Sequence, residues 1–371
     1  MDENDGKKKS RLDERTRPLG ISIGWWAIIV PVFTALVVLL LGKIECGESE
    51  KDYLRRENAR LTAILGKALG DDPPNLDPNN PPLIPEGFDT LERKVETFIE
   101  EGGYLDGNDL LRIGNVFYSK SNYAKAMSYY QVALHQAEER DDSMLIASAK
   151  GNIGLIYSNK GDLDEALKFH QTALEIYSNI EYQRGEASVL VNMGLLYKNK
   201  GDVDKAKGAL DSALEYYQRG LNIHKEIGFR EGQAVASGNI AGVFYLRGDL
   251  DEALKYQQAA LQIDKEIGYR QGEASALGNI GLIYYDKGDL DEALKYHKDA
   301  LEIHKEVGYR QGEATDLGNI GLIYFNKGDL DEALKYLKQA LEIIDQHGLA
   351  HGRETVVNAI EEIERKQQKS K

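Results

Sequence analysis

An all-α solenoid of about six helix pairs, built from one copied unit, is the fold this sequence predicts. Three observations predict it. The stretch Ala274–Glu313, ASALGNIGLIYYDKGDLDEALKYHKDALEIHKEVGYRQGE, returns almost verbatim at Ala314 and is preceded by a third copy from Ala234. Each copy has helical rather than strand periodicity, with Leu277, Ile280, Gly281 and Tyr284 at i, i+3, i+4 and i+7. Each copy is broken once in the middle, at Lys287-Gly288-Asp289.

Within the unit, Asp289 and Glu292 form a capping box that starts the second helix, the Asp oxygen accepting a backbone N–H of the first turn. Leu290, Ala293, Leu294, His297, Ala300, Leu301 and His304 lie along one side of that helix, and Gly308 supplies a left-handed C-cap. Gly281, Ala293 and Ala300 are small mid-helix residues that let two backbones come close.

The pattern G-x-x-Y…G-D-x-x-x-A…A-L resembles the tetratricopeptide repeat, a helix–turn–helix unit usually about 34 residues long. Six copies keep register over roughly 106–351, with the small residue at Gly114, Gly154, Gly194, Ala241, Gly281 and Gly321. The steps are 40, 40, 47, 40 and 40 residues. The longer unit, with Asn two places before the small residue, is similar to the kinesin-light-chain and polarity-adaptor branch. It departs from the common motif in lacking Pro near the end of the second helix and in replacing the early aromatic by Leu277 or Leu317. The resemblance implies a right-handed superhelix whose inner wall binds extended peptides.

The 47-residue step repeats Ala213-Leu214 as Gly220-Leu221, seven residues on. Seven residues is about two helical turns, so the apolar face realigns, and the second helix of the third repeat is expected to project about 10 Å further.

The chain has 371 residues and a net charge of −15, which disfavours nucleic acid as a partner. The single Cys46 excludes a disulfide framework and a cysteine-based zinc site. There is no HExxH, P-loop, G-x-S-x-G or dinucleotide fingerprint, so neither a catalytic site nor a metal or cofactor is expected. His347 and His351, four apart, lack a completing ligand set.

Residues 1–17 form a polar basic tail, and 18–42, PLGISIGWWAIIVPVFTALVVLLLG, carry no charge. That length predicts one transmembrane helix, too long for a signal-peptide core. The KKKSR cluster places the N-terminus in the cytoplasm and the repeats on the extracytoplasmic side. Residues 48–69 read either as a solvated helical stalk or as a short coiled coil giving a weak homodimer, with Leu54, Leu61 and Ala68 at d. A Pro-rich linker covers 70–90, the array 91–351, and a capping helix 352–371 with Val356, Ile360 and Ile363 on one stripe.

On a helical wheel Asn279 points away from the partner helix, toward the inner wall. The candidates for holding a peptide backbone are Asn152, Asn192, Asn239, Asn279 and Asn319, and the resemblance implies that role for them. Arg112 interrupts the ladder in the first repeat. The same amides could instead tie neighbouring repeats, since buried polar groups need partners. Tyr245, Tyr285 and Phe325 form an aromatic row, either pockets or core. The histidines read as packed or rim residues.

The sequence thus predicts a membrane-anchored scaffold that gathers protein partners by their extended segments. Two alternatives stay open: an import or chaperone-docking receptor with cytosolic repeats, and a self-assembling structural protein.

Overall fold

The computed structural model describes residues 54–59, 61–63, 88–100, 103–204, 207–349 and 352–369. It divides into two units, residues 1–72 with 84–109, and residues 73–83 with 110–371.

In the first unit, α1 (Phe88–Glu100) buries Val95 and Phe98, and the Gly103 N–H donates to the Phe98 carbonyl at 2.8 Å as the chain leaves the helix. The next helix, α2 (Gly107–Ser119), begins in this unit and continues in the second.

The second unit continues as α3 (Tyr123–Glu139), α4 (Ser143–Asn159), α5 (Leu163–Asn179), α6 (Gln183–Asp204), α7 (Lys207–Glu226), α8 (Arg230–Leu246) and α9 (Leu250–Ile267). It ends with α10 (Arg270–Asp286), α11 (Leu290–Val307), α12 (Arg310–Lys327), α13 (Leu330–His347) and α14 (Arg353–Lys369). Even-numbered helices to α12 are the first helices of the six repeats and odd-numbered ones from α3 the second. The last, α14, caps the array through Val356, Ile360 and Ile363, all buried.

The turns follow from the sequence. Gly288 and Gly308 have φ of 82° and 72°, conformations that cost an L-residue roughly 1–2 kcal/mol. In the early repeats Ser121, Asp141 and Glu181 hold the same kind of conformation without being glycine. Asp289 accepts from the Glu292 N–H at 3.2 Å, and Asp329 from the Glu332 N–H at the same distance. These caps satisfy donors a helix start otherwise leaves bare.

Small residues set the spacing of each pair. Ala293 and Ala300 are fully buried, and a Cβ added to Gly281 would stand 2.7 Å from the His297 ring. A feature the sequence reading did not isolate runs through all six repeats, a stacked aromatic pair joining the two helices. Its members are Phe117–Tyr129, Tyr157–Phe169, Tyr197–Tyr216, Phe244–Tyr256, Tyr284–Tyr296 and Tyr324–Tyr336, with centroids 5.3–5.6 Å apart. Its signal was present as aromatics at a constant separation of 12 residues, stretched to 19 in the third repeat.

The seven-residue insertion therefore falls between Tyr197 and Tyr216, and it is shared by both helices. α6 runs for 22 residues and α7 for 20, against 17 and 18 in the next repeat. The expected extension of the second helix alone is corrected: α6 continues past Gly201, where the other first helices have turned.

Two further expectations are corrected. Among the described residues no helix is long and apolar enough to cross a membrane. The segment 18–42 lies outside those residues; the described residues form an all-α repeat array with no membrane-crossing helix, and the single-pass placement, the extracytoplasmic repeats and the membrane as partner are withdrawn. The described helices carry charge along their length, as LDEALKYHKDALEIHKEV of α11 does, and suit a half-solvated layer rather than a bilayer. The coiled-coil dimer through 48–69 is also withdrawn. Leu61, needed at its seam, is 1% exposed within the single chain, and Thr62 Oγ1 donates to Asp109 Oδ2 at 2.7 Å inside the first unit. The basic tail 1–17 and most of the linker 70–90 lie outside the described residues.

Candidate functional site

Each second helix packs on its own first helix and on the next one. First helices also touch their neighbours, α4 with α6, α6 with α8, α10 with α12, and α12 with α14; second helices do not do so to the same extent. The first helices are thus the closer-set row of the second unit, the inner wall on which a groove can form. α8 and α10 touch less than any of these four pairs.

The five asparagines divide along that wall. Asn152, Asn192 and Asn239 are buried, Asn319 is half-buried and Asn279 is exposed. Asn152 Nδ2 donates at 3.0 Å to Asn115 Oδ1, which also accepts from the Tyr130 hydroxyl at 2.8 Å. At that point the amide ties two repeats together. Arg112, the interruption in the ladder, is buried.

The aromatic row joins successive repeats. The Tyr118 hydroxyl accepts from Asn159 Nδ2 at 2.6 Å, Tyr285 accepts from Asn326 Nδ2, and the Tyr245 hydroxyl donates to Asp286 Oδ2. Burial, and then the Asp286 carboxylate, push the Tyr245 hydroxyl up to about 12. Phe325 has no hydroxyl, and the element after it is the cap, whose Lys366 ammonium lies 4.1 Å from its ring centroid.

A second series of buried positions, of which the sequence reading took the histidines as packed or rim residues, lies where each second helix meets the next repeat. Two positions seven apart on each second helix stand in register with one position of the next first helix. Along the chain these trios are Tyr130, Ala137 and Ala149; His170, Tyr177 and Val189; Tyr217, His224 and Ala236; Gln257, Asp264 and Ala276; His297, His304 and Asp316; and Leu337, Ile344 and Val356. All eighteen are buried. In the fifth trio, His297 Nδ1 and His304 Nδ1 meet the two oxygens of Asp316 at 3.0 and 2.7 Å. In the second, burial alone lowers His170 to about 4, so it is neutral. In the third, burial and the nearby Arg184 lower His224 to about 4.

The fourth trio differs from the rest. It adjoins a cavity of about 320 Å³ between α8, α9 and α10, with Lys198 contributed by α6. Exposed Ser275 and Asn279 stand at its mouth, and Gln257 and Asp264 at its floor. Asp264 is 6% exposed, and its carboxylate makes no hydrogen bond or ion pair with any described residue. Burial, with Glu231 and Glu273 nearby, pushes that carboxyl up to about 7. Among the described residues no group of three His, Cys, Asp or Glu could hold a metal ion.

A family model described as tetratricopeptide repeat matches residues 145–215, 196–266 and 272–346. No curated protein matches the sequence. Among solved structures, a Rap protein complexed with competence and sporulation factor superposes with a TM-score of 0.57 at 15% identity, covering 94% of this chain and 98% of that one. A signal transduction ATPase with numerous domains and a tetratricopeptide repeat sensor, from Pyrococcus horikoshii, gives 0.53 at 16% identity, over 93% of this chain and 56% of that one. The apo form of RapI gives 0.50 at 16% identity, over 69% and 96%. At these identities the likeness is one of fold.

Proposed function

The chain belongs to the tetratricopeptide repeat family, and we propose that it is a docking scaffold whose first-helix wall holds an extended segment of a partner protein. The anchoring half of the sequence-based reading is dropped, and docking without a membrane requirement is the form retained. The observation that carries it is the closely set inner row, with exposed Asn279 and half-buried Asn319 on it. A side-chain amide there can accept from and donate to a peptide backbone without reading its sequence. Asn152, Asn192 and Asn239 are assigned instead to joining repeats, because they are buried. Tyr245 and Tyr285 keep their rings beside the wall while their hydroxyls hold the next repeat. A preformed wall lowers the ordering cost on the protein side, and a net charge of −15 favours basic or polar segments. The fold shared with a Rap protein that was crystallised with competence and sporulation factor is compatible with this reading.

An arrayed library of extended peptides tests it on the full chain. Wild type retains a subset, and Asn279→Ala/Asn319→Ala loses that subset with an unchanged melting curve. Retention undiminished in the double variant refutes the assignment.

A further inference from the structure

The six trios offer an internal comparison. Asp264 occupies the place of His304, Gln257 that of His297, and Ala276 that of Asp316. In the fifth trio the buried carboxylate has both oxygens occupied by imidazoles of the same chain. In the fourth, the carboxylate comes from the second helix, and the place of Asp316 is taken by Ala276, which lines the cavity. No side chain among the described residues bonds to it, the Gln257 amide is 4% exposed and likewise without a bond to a described residue, and both line the same cavity. A buried carboxylate without a partner is costly, and a site that leaves one is short of a cation or a donor.

We infer that the cavity between the fourth and fifth repeats receives one basic side chain, arginine or lysine, of the segment held by the wall, with the Asp264 carboxylate as its counter-charge. The inference rests on the docking reading. Its geometry runs from an open mouth at Ser275 and Asn279, where a peptide backbone would lie, to a charged floor at Asp264. The cavity volume of about 320 Å³ accommodates a long side chain. Tyr245 and Tyr269 also line it, and a guanidinium is attracted to aromatic rings.

The surrounding charges fix where the ligand's charge sits. Glu273 is paired with Arg270 at 2.5 Å and faces Lys265 at 3.9 Å, and Arg230 is paired with Glu266. Glu231 adds negative potential at Asp264. Among the described residues Lys198 is the one cation lining the cavity, so an incoming cation is driven to the Asp264 end. Asp264 titrates near neutrality, and a cation pairs with its ionised form, so binding strengthens as pH rises through about 7.

The full chain and its Asp264→Asn variant are titrated with n-propylguanidinium and with neutral butyramide. Both are also titrated with two nine-residue Gly/Ala peptides carrying Arg or Gln at the centre. Asp264→Asn is isosteric and removes an unpaired charge, so the variant folds; a melting curve verifies this. The expected result is that wild type prefers the guanidinium probe and the Arg peptide by at least tenfold, more at pH 8 than at pH 6, and that the variant loses both preferences. Equal binding of Arg and Gln peptides, or a preference that survives in the variant, overturns the pocket and leaves docking standing. Binding of the small cation with neither peptide retained overturns docking, and the side-chain source with it.

Discussion

Removing Asp316 gives the sharpest energetic test of the packed repeats. Its two oxygens accept from His297 Nδ1 and His304 Nδ1 at 3.0 and 2.7 Å, and all three residues are at most 4% exposed. Both Nε2 atoms lack partners, so each ring's hydrogen bonding depends on this carboxylate. Asp316→Ala strands two buried donors, each costing about 1–3 kcal/mol, and the loss of a buried polar partner as a whole costs about 3–5 kcal/mol. Because a repeat contacts only its neighbours, the loss falls on the joint between the fifth and sixth repeats. Urea unfolding followed by circular dichroism reads the total. Amide exchange reads its position, which should be α11 to α13. The chain supplies its own control. The next joint solves the same packing with Leu337, Ile344 and Val356, so His297→Leu/His304→Ile/Asp316→Val should recover most of the loss, since an apolar isostere can replace a buried polar network. A cost below about 1 kcal/mol for Asp316→Ala, or a triple variant no better than the single, refutes the argument.

Gly281→Ala places a Cβ 2.7 Å from the His297 ring and should cost about 1–3 kcal/mol in urea unfolding. Tyr285→Phe deletes the hydroxyl that accepts from Asn326, a loss of about 0.5–1.5 kcal/mol by the same assay. Glu181 has φ of 55°, so Glu181→Gly should raise the melting temperature, relieving part of a strain of about 1–2 kcal/mol. Asp264 carries a pKa raised to about 7, so the folded state keeps this proton after the unfolded chain has released it. Wild-type stability should therefore fall from roughly pH 4 to pH 7 relative to Asp264→Asn, with the variant the more stable above that range in melts across pH.

Much of the fold could be read directly because local signals repeat. The Asp289 cap, the Gly308 terminator and the Val356, Ile360 and Ile363 stripe each rest on a few adjacent residues, and each is found as expected. What escaped the sequence depends on contacts between repeats. A helical wheel turned all five asparagines the same way, yet Asn152 is buried against Asn115 while Asn279 is exposed. The wheel fixes direction on one helix, whereas burial is set by how far the neighbouring helix stands off. The insertion misled for a related reason. Two turns of extra helix restore the face equally well on α6 or on α7, and the actual division depends on where the turn forms. The histidines looked interchangeable because their partners, Asp316 among them, lie on another repeat.

The variable trio also explains why a repeating wall can hold one distinct pocket. The outer face is nearly invariant, with LDEALKY opening α9, α11 and α13 alike, and it pairs with itself through Arg247–Asp211, Lys287–Asp251 and Lys327–Asp291. Such exposed pairs contribute little and cannot distinguish one joint from another. The trios differ at every joint. A cation offered to the fifth finds both Asp316 oxygens engaged, and at the sixth it meets Leu337, Ile344 and Val356. Only at the fourth does a buried carboxylate stand unpaired among the described residues, with Ala276 at the register-matched position, where α8 and α10 touch less than α6 with α8 or α10 with α12. A cation seated there would displace the proton Asp264 holds near neutral pH, so binding should release a fraction of a proton per site and strengthen with pH. Calorimetry of the guanidinium probe in buffers of different ionisation enthalpy measures that release, and buffer-independent heats would contradict the assignment of Asp264 as the counter-charge.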